Sequence, residues 1–301
     1  MLPMSITDDV TLEDISGLLA KDSFLTWKGF LGTPEYERLE RIKFALVRRF
    51  ENSQSPSGIL EGPSEKVEDV LACLRLIRPM REHLGLFKGQ LRYDGSIEIK
   101  SFSSPYAVEE VPELEKLFSL RTEDALRLRE IAPYFLEVRR NKWWKILMAL
   151  EFYQAGFFQT DYWKARYSLR CSSIEAIFGS NKYRKSRVTK DRIIKMLGAD
   201  TCIYQPGDIP GHLPQSPEIT IASVIEDVFE ARHCIAHGDR IPDRFFTHIR
   251  RAGVQRQLPL MAVLDETVSA IARRSIVKIL EERIGAAFES SDTADNFFSL
   301  P

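Results

Sequence analysis

The sequence predicts a mainly α-helical protein: a helical bundle in the second half, preceded by an α-rich N-terminal region with one small β-hairpin. Three observations predict it. Apolar residues recur at three- and four-residue spacing in most segments. Cap residues and glycine stops bracket those segments. A single short stretch, around Asp94-Gly95, alternates apolar and polar residues as a hairpin does. The balance of 44% hydrophobic and 28% charged residues over 301 positions is that of an ordinary globular chain. It excludes collagen-like and disordered classes for the whole chain.

In chain order, Thr33 and Pro34 predict a helix start, and a helix over 33–51 with Leu39, Ile42, Phe44, Leu46, Val47 and Phe50 as its apolar positions. The run N-S-Q-S-P-S-G at 52–58 reads as a loop. Ser64 then caps a helix whose stripe is Val67, Val70, Leu71, Leu74 and Ile77, ended by Pro79. The hairpin follows as L-R-Y-D-G-S-I-E-I. A three-residue loop at 94–96 pairs Tyr93 with Ile97 and keeps the apolar residues on one face.

The second half reads as successive helices. One runs from Asn141 to Gln159 and is rich in aromatics. A second is capped by Asp161 and closed by Gly179 after Phe178. A short basic helix covers 186–197 and stops at Gly198. Residues 199–217 read as loop. Pro217 and Glu218 precede a helix through His237, closed by Gly238. Pro259 opens a long helix with Leu260, Leu264, Val268, Ile271, Ile279 and Ile284 near helical spacing. The expected division is an N-terminal region at 1–140, to which only the family resemblance given below lends a sensing or regulatory role, a bundle at 141–288 and a tail at 289–301.

The net charge of −1 comes from 42 basic and 43 acidic residues, which excludes a uniformly basic nucleic-acid binder. The charge is not even. Residues 1–140 hold 20 basic and 24 acidic residues, and 141–301 hold 22 and 19. The densest cationic stretch is 182–195, with seven basic residues and one acid. Lys182, Arg184, Lys185, Arg187, Lys190 and Arg192 there form a candidate RNA-backbone surface, with Tyr183 available to stack on a base. A solvated helix face is the plainer reading of such a run. Cys73, Cys171, Cys202 and Cys234 are widely spaced and form no C-x-x-C pair, which fits a reducing, cytoplasmic setting. No secretory leader and no membrane-spanning run is expected, and so no membrane partner.

The most informative segment is V-F-E-A-R-H-C-I-A-H-G at 228–238. On a helix, Val224, Val228, Ala231 and Ile235 share one face, assigned to the core. Glu226, Glu230, His233 and His237 share another. The two histidines therefore point away from the core, and histidine is the side chain that titrates near neutrality.

Arg232-His233-Cys234-Ile235-Ala236-His237 resembles the R-x4-H motif of HEPN domains. The ending A-R-H-C-I-A-H-G, together with the earlier S-L-R-C-S-S-I-E-A-I-F-G, is similar to the Apea-like HEPN group. The resemblance covers roughly residues 141–288. Arg78 and His83 repeat the spacing by coincidence, since Pro79 breaks the helix between them.

The resemblance implies a HEPN-type bundle and a metal-independent endoribonuclease that needs no cofactor. It also implies a homodimer with its site at the subunit interface, and a role as a toxin or defence effector. RNA is then the substrate, cut by attack of a ribose 2′-OH on the adjacent phosphorus. His237 is the expected general acid/base, and Arg232 the expected phosphate clamp. His233 is expected to orient or bind phosphate. Glu230 is placed to accept an imidazole N–H, and Glu175 to support the site or pair with Arg232. Positions i and i+5 lie about 140° apart on a regular helix. Arg232 and His237 of one chain therefore meet only if the helix distorts near Gly238; otherwise the residues of two chains meet across a two-fold axis.

Other readings of the same residues stand beside this one. A non-catalytic dimerising scaffold keeps the motif as an interface element, with a protein partner or activating ligand on the N-terminal region. A small-ligand sensor would use a pocket near the histidines. His233 and His237 at i, i+4 also suit zinc, though no third ligand and no H-E-x-x-H is evident. Trp143, Trp144 and Trp163 are read as core rather than base-stacking platforms, as are Cys171 and Cys234.

Overall fold

A computed structural model describes residues 3–15, 44–49, 63–78, 86–93, 95–103, 121–158, 162–180, 185–204, 219–246 and 260–299. The chain divides into two compact units, Met1–Leu136 and Glu137–Pro301. The described residues are mainly helical, as expected.

In the first unit, β1 (Met4–Ser5), β2 (Val10–Asp14) and β3 (Phe44–Arg48) form an antiparallel sheet in that order. Val10 and Leu12 point inward and are buried, while Leu12 faces Leu46 across the sheet. This corrects the helix expected over 33–51: its described part, 44–48, is a strand. Phe44, Leu46 and Val47 fit a helical stripe and a strand equally, and pairing with β2 decides between them. Thr33, Pro34, Leu39, Ile42 and Phe50 lie outside the described residues.

Helix α1 (Pro63–Ile77) packs on β2 and β3 and stops before Pro79. Val70, Leu74 and Ile77 of its expected stripe are buried. The hairpin forms as β4 (Leu86–Leu91) and β5 (Ile97–Ser103), but Leu91 rather than Tyr93 faces Ile97. The loop starts one residue earlier than expected. Gly95 N–H donates to Arg92 O at 3.0 Å, and Gly95 takes φ +81°, which places the glycine where a left-handed residue closes the turn. Tyr93 is left fully exposed.

Helix α2 (Thr122–Asn141) carries the boundary between the units and ends where Lys142 turns to φ +56°. The helix expected from Asn141 therefore begins at Trp144, as α3 (Trp144–Phe158). The second unit continues with α4 (Trp163–Phe178), α5 (Lys185–Leu197), α6 (Ile221–His237), α7 (Leu260–Glu281) and α8 (Ser291–Ser299). Strand β6 (Cys202–Tyr204) sits where loop was expected and pairs with β7 (Ile219–Thr220), which lies where the next helix was expected to begin.

Helix α4 is central and packs against α3, α5, α6 and α7. Tyr162, not Asp161, stands at its N-cap, and Asp161 lies outside the described residues. Helix α6 starts at Ile221 rather than near 218, because Thr220 and Ser223 form a reciprocal capping box there. In α7, Leu264, Val268, Ile271 and Ile279 are fully buried, as the spacing requires. Ile284 lies beyond the helix.

The expected tail is instead an ordered helix. Ser290 and Thr293 cap α8 reciprocally, and Phe298 packs on Phe178 and Phe288. No helix among the described residues is long and apolar enough to cross a membrane.

Candidate functional site around the C-terminal half of α6

Tyr167, Cys171 and Glu175 recur every four residues on α4. The Tyr167 hydroxyl donates to Val228 O at 2.8 Å, which fixes α4 against α6. One turn further along α6, Arg232 Nη2 donates to Glu175 Oε2 at 2.8 Å, with both side chains half-buried. Glu175 thus pairs with Arg232, one of the roles expected for it. Cys171 and Cys234 are buried core residues. Burial, and then the Glu175 carboxylate, push the Cys171 thiol far up.

The end of α4 is held by cations. Lys145 Nζ donates to Ala176 O at 3.0 Å, and Arg192 Nη1 donates to Phe178 O at 3.2 Å. These satisfy carbonyls that the helix leaves without partners. Burial, and then the nearby Arg192, hold the Lys145 ammonium below its ordinary value. Gly179 closes the helix with extended backbone, and its N–H donates to Glu175 O at 2.8 Å. A β-carbon on Gly179 would sit 2.4 Å from that oxygen. Gly179→Ala is expected to lower stability by about 1–3 kcal/mol, measured by thermal melting, because the last turn carrying Glu175 must shift.

Helix α6 stays α-helical through His237, and Gly238 then takes φ +73°. Its core face is as expected: Val224, Val228 and Ala231 are buried, and Ile235 partly so. Glu226, Glu230, His233 and His237 are exposed. The ring centroids of His233 and His237 stand 4.4 Å apart, and His233 Nε2 lies 4.0 Å from Asp239 Oδ2. Helix α6 is continuous to His237, and on a regular helix residues five apart, such as Arg232 and His237, leave in directions about 140° apart.

Glu230 does not serve His233. It binds Arg244, which also reaches Asp227 Oδ1 at 3.0 Å. Arg244 comes from the 3-10 turn Asp243–Phe245 after α6. Nothing local in the sequence announces this partner, since it depends on how residues 238–246 fold back along α6.

An open cleft of about 560 Å³ lies where α4, α5 and α6 converge. Glu175, Lys190, Glu226, Phe229, Arg232 and His233 are among the residues that line it, and His237 is not. The cleft is of mixed charge. Lys190 is drawn onto Glu226, and its ammonium lies 5.7 Å from the Phe229 ring centre.

The candidate RNA surface is corrected in part. Arg192 is buried and paired with Asp295 of α8, so it serves packing rather than phosphate. Lys190 is held by Glu226. Arg187 is exposed, and Lys185 opens α5. Lys182, Tyr183 and Arg184 lie outside the described residues. Trp143 is core, but Trp144 is exposed, against expectation, and Trp163 meets Phe246 edge-on at 6.3 Å. Arg78 of the coincidental R-x4-H spacing binds Asp124 at 2.7 Å. Among the described residues no group of three or more His, Cys, Asp or Glu side chains is placed to hold a metal ion. Compared with known proteins, the chain matches no family model, no curated protein and no solved structure.

Proposed function

We propose that the Glu137–Pro301 unit is a HEPN-type, metal-independent endoribonuclease that works as a homodimer, in a toxin or defence role. One observation carries this reading. Helix α6 presents His233 and His237 to solvent at its C-terminal end, one turn apart, beside a half-buried Arg232 that lines a cleft.

In this reading His237 removes the proton from a ribose 2′-OH, and an imidazolium returns a proton to the leaving 5′ oxygen. Arg232 donates to two phosphoryl oxygens as charge builds on them. His233 binds or orients the phosphate. Because Arg232 and His237 diverge on a regular helix, the residues gathered at one phosphate come from two chains about a two-fold axis. Arg187 and Lys185 are the cations of α5 that remain candidates to track the RNA backbone. The Met1–Leu136 unit then senses or restrains the nuclease.

The test is RNA incubated with the full chain in excess chelator. Cleavage to 2′,3′-cyclic-phosphate ends is expected. Arg232→Ala is expected to reduce it by about 10²–10³-fold. Absence of cleavage over a range of RNAs, or retained cleavage in folded Arg232→Ala, rejects the nuclease. A second reading, a non-catalytic dimerising scaffold, is favoured by the Arg232–Glu175 pair, which occupies the guanidinium that would clamp phosphate.

A further inference from the structure

We propose that His233 and His237 together chelate a borderline transition-metal dication, with zinc as the probe ion, at the C-terminal end of α6. Four observations converge on this. First, the residues are i and i+4 on a helix that is regular to its last residue, so their spacing is fixed in advance. Second, their ring centroids are 4.4 Å apart. Two imidazole nitrogens each about 2.0–2.1 Å from a tetrahedral ion lie about 3.3 Å from each other. Rotation about the side-chain bonds brings rings at this separation to that distance. Third, both side chains are exposed, so an ion reaches them without opening the fold. Fourth, the local field favours a cation. The helix ends here with its negative pole, and the Asp239 carboxylate is 4.0 Å from His233 Nε2.

The described residues offer no cluster of three or more ligands, so the chain supplies two nitrogens and water fills the remaining positions. That makes the site reversible. Imidazole suits zinc, copper and nickel. Binding has a functional consequence that rests on the ribonuclease reading. The metal takes the nitrogen lone pairs that would carry the proton, so zinc inhibits cleavage that proceeds without it in chelator.

The experiment uses the full chain, stripped with chelator, desalted and titrated with zinc chloride by calorimetry near neutral pH. Single His233→Asn and His237→Asn variants and the double variant are titrated alongside, each checked for folding by circular dichroism. Histidines 83, 212 and 248 lie elsewhere in the sequence, so the variants isolate this pair. One equivalent of zinc is expected in the wild type, with affinity lowered at least about tenfold in either single variant, since each leaves a lone ligand without its chelate partner. Absence of binding up to ~1 mM zinc, or unchanged affinity in the folded double variant, overturns the site. Zinc binding without RNA cleavage rejects the nuclease and leaves the site standing. Cleavage without zinc binding does the reverse.

Discussion

Co-expressing His237→Ala chains with wild-type chains in equal amounts is expected to leave about one quarter of the proposed ribonuclease activity rather than about one half. The figure follows from the geometry of α6. The helix continues to His237, so Arg232 and His237 of one chain leave it about 140° apart, and the reading gathers them from two chains. A dimer with one composite site then works only when both copies are intact, and random pairing makes about a quarter of dimers wholly wild type. His237→Ala alone is expected to lose about 10²–10⁴-fold, the usual contribution of a positioned acid or base. Strict proportionality between activity and the wild-type fraction would overturn the single composite site that needs both histidines. Arg232→Ala chains mixed with His237→Ala chains add a second measure. Recovery of activity above that of either variant would mean that one histidine and one arginine from different chains suffice.

The largest stability effect is expected at Asp265. This buried residue of α7 sits between two arginines of α4. Arg166 Nη2 lies 2.7 Å from Asp265 Oδ2, and Arg170 Nη1 lies 2.9 Å from Oδ1. Arg170 is itself only 2% exposed. Removing the carboxylate leaves the buried Arg170 guanidinium with only the longer, half-exposed Glu266 contact at 3.6 Å as counter-charge. Asp265→Ala is therefore expected to cost about 3–5 kcal/mol. For a unit of this size that lowers Tm by roughly 6–20 °C in a melting experiment. Asp265→Asn keeps the shape and some hydrogen bonding and is expected to lose less. A Tm within a degree or two of the wild type for the alanine variant would mean that water enters and solvates the arginines. The same locality explains a close approach of α3. A β-carbon on Gly156 would lie 3.1 Å from Arg170 Cγ and 3.2 Å from Arg166 O, so a larger residue there presses on the stem of Arg170 and on the α4 backbone.

Part of the fold and of the site is legible in the sequence. The exposure of Glu226, Glu230, His233 and His237 follows from helical period alone, because Val224, Val228 and Ala231 commit the opposite face to the core. The stops at Gly198 and Gly238 were legible for a similar reason, since both take a left-handed φ that glycine adopts freely. What was not legible depends on distant partners. Arg192 looks like one cation among seven until α8 brings Asp295 against it. Phe44–Arg48 scores as a helix until β2 offers a strand to pair with. Glu230 looks free to serve a histidine until Arg244 returns from the turn beyond α6. In each case the local pattern allowed two answers, and a contact many residues away selected one.

The central position of α4 has a consequence for how the site fails. This helix supplies Glu175 to Arg232, Arg170 to Asp265 and a carbonyl end to Lys145 and Arg192. A fluctuation that frees any one of these must disturb the helix that holds the others. The backbone amides of α4 should therefore exchange with solvent at the slow rate set by opening of the whole unit, not by local fraying. Heat or denaturant will then not produce a loosened site on an intact bundle. Occupation of the cleft should in turn slow exchange throughout α4, so a ligand would report itself far from the residues it touches.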